Sequence, residues 1–195
     1  MVGSVRRGGN TELLAQAFAE STGKNHEVEL VSVADYAVHP CIGCNSCYTR
    51  EGHRCFQDDD MQQIYNKLKQ ADVLVIASPV YFYGISAQLK TVIDRLHTPM
   101  RNDFTVRKLG LILVGAADLP DLFDPIILQY RMLLRFFHLE NIGIGETVKC
   151  SLRDDIGKSN TCLTDERYIQ ISLSDSFKDG VFRAPRRRKI FFAKR

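Results

Sequence analysis

The nine residues Ala71–Pro79, ADVLVIASP, restrict the fold more than any other stretch of this chain. They are β-branched and apolar without alternation, so a strand built from them is buried on both faces. Such strands belong to parallel sheets with helices packed on both sides. A second run, LGLILVG at 109–115, has the same character. Around these runs helices and strands alternate. Asn10 to about Ser21 reads as an amphipathic helix, with Leu13, Leu14, Ala17 and Phe18 on one face and Asn10 or Thr11 as cap. HEVELVSV, residues 26–33, alternates as a strand. Asp58–Asp60 offer caps to a helix over 61–70, and helices are expected over 85–97 and 121–139. Residues 142–148 read as a last strand. This order implies right-handed βαβ units and a doubly wound α/β parallel sheet.

In such sheets ligands bind beyond the carboxyl ends of the strands, so the strand-to-helix loops are the places to look. They are GSVRRGGNT, SPVYFYG and GAADLPD. Two parts fit poorly. The first loop has only Met1 and Val2 ahead of it, where a central strand of about five residues belongs. The expectation is that the first strand is missing from the chain, through an upstream start or a clipped sequence. The alternative is that the C-terminal KIFFA, residues 189–193, fills the slot. The second is Ser151–Arg195, where TDERYIQISLS alternates like a strand although a closing helix is expected.

The chain has 195 residues, enough for one well-buried core. The N-terminal stretch SVRRGGNTE does not read as a signal peptide, and the longest apolar runs are strand-sized. A cytoplasmic location with no membrane contact is the expectation, and cysteines there are more often reduced, metal-bound or catalytic than paired. Residues 183–195 hold seven basic residues and no acidic one, leaving 19 Lys+Arg against 23 Asp+Glu elsewhere. The tail could touch nucleic acid or an acidic partner, but a solvated or disordered terminus is the favoured reading, and nucleic acid is not an expected partner.

GSVRRGGNTELL combines glycines, small polar residues and a helix start, an arrangement that offers amides and hydroxyls to an anion. Ser4, Asn10 and Thr11 donate hydrogen bonds there, and Arg6 adds a charge-assisted fork. Neither Gly-Lys-Ser/Thr nor GxGxxG is present, so a phosphomonoester fits better than a triphosphate or a dinucleotide. In SPVYFYG three consecutive aromatics cannot all face the core, and they offer a platform to a flat ring. Pro79 and Gly84 are expected to set the turn. A phosphate site and a ring site together match flavin mononucleotide (FMN).

Four of the six cysteines lie in CIGCNSCYTREGHRC, at Cys41, Cys44, Cys47 and Cys55. Three are evenly spaced, like the compact ligand run of a cubane cluster, whereas zinc sites draw on two separated pairs. A 4Fe–4S cluster, a thiol-rich loop without metal, and zinc all stay open. The histidines form no motif, and His39, His53 and His97 read as loop or surface residues. Lys90 and Asp94, four apart on a helix, read as an ion pair.

GSVRRGGNT, CIGCNSCYTREGHRCFQDDDM, SPVYFYGISAQLK and DRLHT follow in an order that resembles the flavodoxin-like, NADPH-dependent FMN reductase superfamily, in its iron–sulfur flavoprotein branch. The resemblance covers about residues 3–150; Val5 stands in place of the usual proline, and 151–195 match nothing in it. It implies a flavodoxin-like domain over 1–150, with strand order 2-1-3-4-5, followed by a C-terminal extension. It also implies that Ser4, Arg6, Gly9, Asn10 and Thr11 hold the FMN phosphate. Pro79, Val80, Tyr81, Phe82, Tyr83 and Gly84 would line the ring, and Gly115 would approach it from a third loop. The implied activity is transfer of electrons from NAD(P)H through FMN to a flavin, a quinone or a similar small-molecule acceptor. A homodimer or homotetramer is expected. The alternative is a non-enzymatic carrier relaying electrons between FMN and an iron–sulfur cluster.

Overall fold

The computed structural model describes residues 1–117, 119–147, 170–173 and 189–191. Cys150, Cys162 and most of the basic tail lie outside them. In chain order the elements are α1 (Asn10–Thr22), β1 (Glu27–Val28), α2 (Ser46–Thr49), α3 (Met61–Leu68), β2 (Val73–Pro79), α4 (Ala87–Arg95), β3 (Lys108–Val114), α5 (Asp124–Phe137), β4 (Glu140–Thr147), β5 (Gln170–Leu173) and β6 (Lys189–Phe191). They form one six-stranded sheet ordered β1-β6-β2-β3-β4-β5. Every pairing is parallel except β4 with β5. With β6 in the place of the missing first strand, this is the expected flavodoxin-like order with an antiparallel edge strand added. Two short pieces of the segment beyond residue 150 thus join the same sheet, and TDERYIQISLS contributes β5.

The central slot that the sequence leaves empty is filled by two separate segments. β6 pairs with β1 through Val28↔Ile190 and with β2 through Val73↔Ile190 and Leu74↔Phe191. Further along the same line sits Met1, whose nitrogen donates to Val75 O at 2.5 Å, while Ala77 N donates to Met1 O at 2.8 Å. Burial pushes the Met1 amine down to about 5. Val2 bridges Ser32 on one side and Ala77 on the other. The expectation of an absent first strand is therefore corrected: Lys189–Phe191, the described part of KIFFA, supply the lower half of the strand and Met1–Val2 the upper. The reason is that β2, buried along its whole length, cannot leave a row of amides and carbonyls without partners.

The strand expected over 26–33 is only two residues long, because the chain leaves β6 after Val28 and brackets Val2 with Val31 and Val33 instead. Alternation along β2 divides the core. Leu74 and Ile76 face α3, α4 and α5, where Met61, Ile64, Leu89, Val92 and Ile126 are buried. Val73, Val75 and Ala77 face α1, where Ala15 is buried. No helix among the described residues is long and apolar enough to cross a membrane.

Candidate functional site

The phosphate-loop candidate leaves the carboxyl end of the composite central strand. The Gly3 amide donates to Ala77 O at 2.7 Å, so this loop and the aromatic loop after β2 start side by side on one edge of the sheet. Ser4 is buried, and its hydroxyl accepts from the Arg6 amide at 3.1 Å, folding the loop back on itself. Gly8 has φ +62°, a conformation that favours glycine. Gly9, not Asn10 or Thr11, caps α1, and it has no side chain to give, so the cap sequence reasoning assigned to those residues is corrected. Thr11 is buried under the first turn. The Gly8 amide takes the Glu12 carboxylate at 2.6 Å. A carboxylate seated on this loop at the start of a helix is a stand-in anion, and the donor set fits a phosphate.

The aromatic loop is a tight hairpin. Tyr81 N donates to Gly84 O at 2.9 Å and Gly84 N to Tyr81 O at 3.1 Å. The two central residues, Phe82 and Tyr83, have φ of 46° and 62°. Such a turn favours Asn-Gly, and a non-glycine residue in this region costs roughly 1–2 kcal/mol. Gly84 does not carry the left-handed conformation, so its expected part in relaxing the turn is corrected: the strain falls on the aromatics. The outcome is exposure, with Phe82 98% accessible and Tyr81 and Tyr83 about half. Pro79 is buried in β2, and Val80 N is held by Val114 O at 2.9 Å.

Two serines that sequence reasoning missed join these loops. Ser86 Oγ donates to Gly3 O and accepts from Leu89 N, capping α4, while Ser86 N donates to Ser78 Oγ. A serine just ahead of the periodic AQLKTVIDR run was the available signal for the cap. At the third loop, a Cβ on Gly115 would come within 2.4 Å of Leu122 Cδ2. Its missing side chain is thus accounted for by packing on Leu122 and Phe123.

The cysteine loop is fastened at its stems. Ala37 N donates to Asp60 and His39 N to Asp59, at 2.7 and 2.9 Å. Asp59 also accepts from Met61 N and pairs with Arg95 at 2.7 Å, with both side chains almost wholly buried. Burial alone would raise the Asp59 carboxyl; Arg95 and the two amides outweigh it and hold it below the usual range. Arg95 also donates to His39 O, and Tyr65 donates to Arg95 O at 2.6 Å. Asp59 and Arg95 stand far apart in sequence, so no local pattern could announce the pair.

Within the loop Gly43, Asn45, Gly52 and His53 all have positive φ. Cys41 and Cys44 are exposed, Cys47 and Cys55 half-buried. The neighbouring Ser46 hydroxyl lowers the Cys44 thiol from its ordinary value. Among the described residues no three His, Cys, Asp or Glu side chains converge as a metal site. His39 and His53 lie on this loop and His97 is exposed against Tyr48 and Phe136; Lys90 pairs with Asp94, as read from the sequence.

Residues 1–119 match the family described as NADPH-dependent FMN reductase. An iron-sulfur flavoprotein of Methanocaldococcus jannaschii is 43% identical over 59% of this chain and 60% of its own length. YwqN of Bacillus subtilis, whose name makes it an NAD(P)H-dependent FMN-containing oxidoreductase, is 31% identical over 74% of this chain and 81% of its own. The chain spans 60% or less of the first iron-sulfur flavoproteins it matches. An NAD(P)H:quinone oxidoreductase from Methanothermobacter marburgensis shares the fold, with TM-score 0.63 at 15% identity over 83% of this chain and 88% of that one. The match over residues 1–119 and the similarity to YwqN are sufficient: the chain belongs to the NADPH-dependent FMN reductase family.

Proposed function

We propose that this chain binds FMN at the shared edge of the two loops and passes electrons from NAD(P)H to a small-molecule acceptor such as a flavin or a quinone. The observation that carries the reading is the Gly3–Ala77 junction, which sets an anion-taking loop beside a strained, exposed aromatic turn. When bound, FMN supplies hydride acceptance from a reduced nicotinamide and its onward delivery. The chain's own residues bind and orient. Ser4, Asn10, Thr11 and the amides around Gly9 hold the phosphate, with Arg6 as a charge-assisted fork. Gly9 also gives room to the Arg6 stem, which a Cβ there would meet at 3.2 Å. Pro79, Val80, Tyr81, Phe82, Tyr83 and Gly84 line the ring and exclude water from one side of it; Gly115 packs the third loop against the same edge. A homodimer or homotetramer and a cytoplasmic location belong to the same reading, and the full exposure of Phe82 supports a covering partner.

The site is tested by anaerobic titration of the purified chain with FMN, followed by NADPH or NADH. Saturable flavin binding and loss of flavin absorbance on adding the nicotinamide are expected. The Arg6→Ala/Thr11→Ala variant should weaken FMN binding, by roughly 1–3 kcal/mol per charge-assisted bond lost. Full flavin retention in that variant would sink the phosphate assignment. The alternative, relay to a 4Fe–4S cluster on Cys41, Cys44, Cys47 and Cys55, is supported by the cysteine spacing and by the names of relatives. Iron and acid-labile sulfide after anaerobic purification measure that directly.

A further inference from the structure

At the opposite end of the sheet from the flavin loops lies a cavity of about 80 Å³ between the sheet and the α3–α4–α5 layer. Its walls are apolar. Leu74 and Leu109, near the amino ends of β2 and β3, form the floor, and Phe104 and Phe137 stand at the sides. Two arginines, Arg101 and Arg107, complete the lining. Guanidinium groups at an apolar cavity would be expected to take carboxylates, yet neither has one within ion-pair distance among the described residues. Two carboxylates of this end are engaged elsewhere: Asp103 pairs with Lys69 and Glu140 with Lys108, both at 2.8 Å.

What the two arginines do have are neutral partners that position them without cancelling their charge. Arg101 donates to Thr98 O at 3.0 Å and lies over the Phe136 ring at 5.2 Å. Arg107 donates to Phe104 O and Val106 O, both at 3.3 Å. Each guanidinium has five donors, so several stay available to an incoming anion. We propose that this cavity is a binding site for a short aliphatic monocarboxylate, its chain among the leucines and its carboxylate on Arg101 and Arg107. The volume sets the length. An engineered cavity of about 150 Å³ takes benzene, so this one, about half that volume, suits a chain of about three carbons with its head group at the mouth. Burial of the chain drives binding, and the two guanidiniums select an anion over a neutral or cationic group.

The test uses the full chain and a series of probes: acetate, butyrate, hexanoate and decanoate, with butanol and butylamine as controls. Binding is read by calorimetry and by the shift in thermal unfolding. Saturable binding that peaks at butyrate and weakens at least about tenfold in butanol is expected, the loss of one charge-assisted bond. Arg101→Gln/Arg107→Gln, changes at half-exposed and exposed positions, should lower butyrate affinity by a similar factor while leaving flavin binding unchanged. Leu133→Phe, which fills the cavity from α5 and keeps both arginines, should abolish butyrate binding. Equal binding of butanol and butyrate would overturn the anion assignment, and absence of binding by every probe would overturn the site. Affinity unchanged in the double arginine variant would do so as well.

Discussion

Ser86 Oγ donates to the carbonyl of Gly3 at 2.5 Å, across 83 residues of chain. One buried hydroxyl thereby fixes the start of the candidate phosphate loop to the cap of α4, the helix that follows the aromatic turn. Ser86→Ala leaves the Gly3 carbonyl and the Leu89 amide without this partner, at a cost of about 1–3 kcal/mol. Ser86→Thr keeps the hydroxyl and should recover most of it. Thermal unfolding measures the stability, and flavin titration measures the coupling. Lower stability with unchanged flavin affinity in Ser86→Ala would mean that the tie is structural only.

The turn at Phe82 and Tyr83 makes a prediction of opposite sign. Replacing the pair by Asn-Gly, the residues this turn favours, should relieve strain of roughly 1–2 kcal/mol per residue. The apo protein should become more stable. Flavin binding should weaken, because the exposed rings are what the strain maintains. Denaturant unfolding and flavin titration on the same variant separate the two effects. A variant that is neither more stable nor weaker in binding would remove any functional meaning from these backbone angles.

The sequence made the helices and the two buried strands legible because their signals are local. The apolar continuity of Ala71–Pro79 and Leu109–Gly115, and the face formed by Ile64 and Leu68, need no knowledge of distant residues. The loops of the candidate site were legible for the same reason. What local pattern could not supply was pairing across the chain. Nothing near Ile190 announces Val28 and Val73 as its neighbours, and nothing near Asp59 announces Arg95. The strain at Phe82 was also hidden, since Gly84 beside it was the residue that sequence logic would bend. The cysteine spacing was legible as a pattern, but spacing alone fixes no convergence in space.

The Asp59–Arg95 pair and Tyr65 beneath it give the protein two pH limits. The Asp59 carboxyl is held below its ordinary value in the folded state. Its contribution is therefore full above the unfolded value of about 4 and is lost as pH falls further. Asp59→Asn should flatten that acid limb. It should also cost about 3–5 kcal/mol at neutral pH, because Arg95 stays buried without its counter-charge. At the other end, burial pushes Tyr65 up to about 12. Its contribution is full below the unfolded value of about 10 and is lost as pH rises from there towards 12. Tyr65→Phe should remove that part of the alkaline limb and lower stability at neutral pH by about 1 kcal/mol through the lost bond to Arg95 O. Urea unfolding across the pH range, in wild type and both variants, checks the two limbs separately.

The composite central strand carries the last prediction. Ile190 is aligned with Val28 on one side and Val73 on the other, so its backbone stands between two neighbours in the middle of the sheet. Proline at this position removes a ladder donor and is tolerated in sheets only at edges and bulges. Ile190→Pro should therefore destabilise the fold by about 3 kcal/mol or more. The damage should reach the flavin loop, because Met1 and Val2 continue the same line into Gly3. Amide hydrogen exchange gives the decisive readout. In Ile190→Pro the protection of the amides in Val73–Ala77 should fall with that of Val2 and Gly3, and flavin affinity should fall with it. Unchanged protection along β2 would show that residues 189–191 do not hold the centre of the sheet in solution.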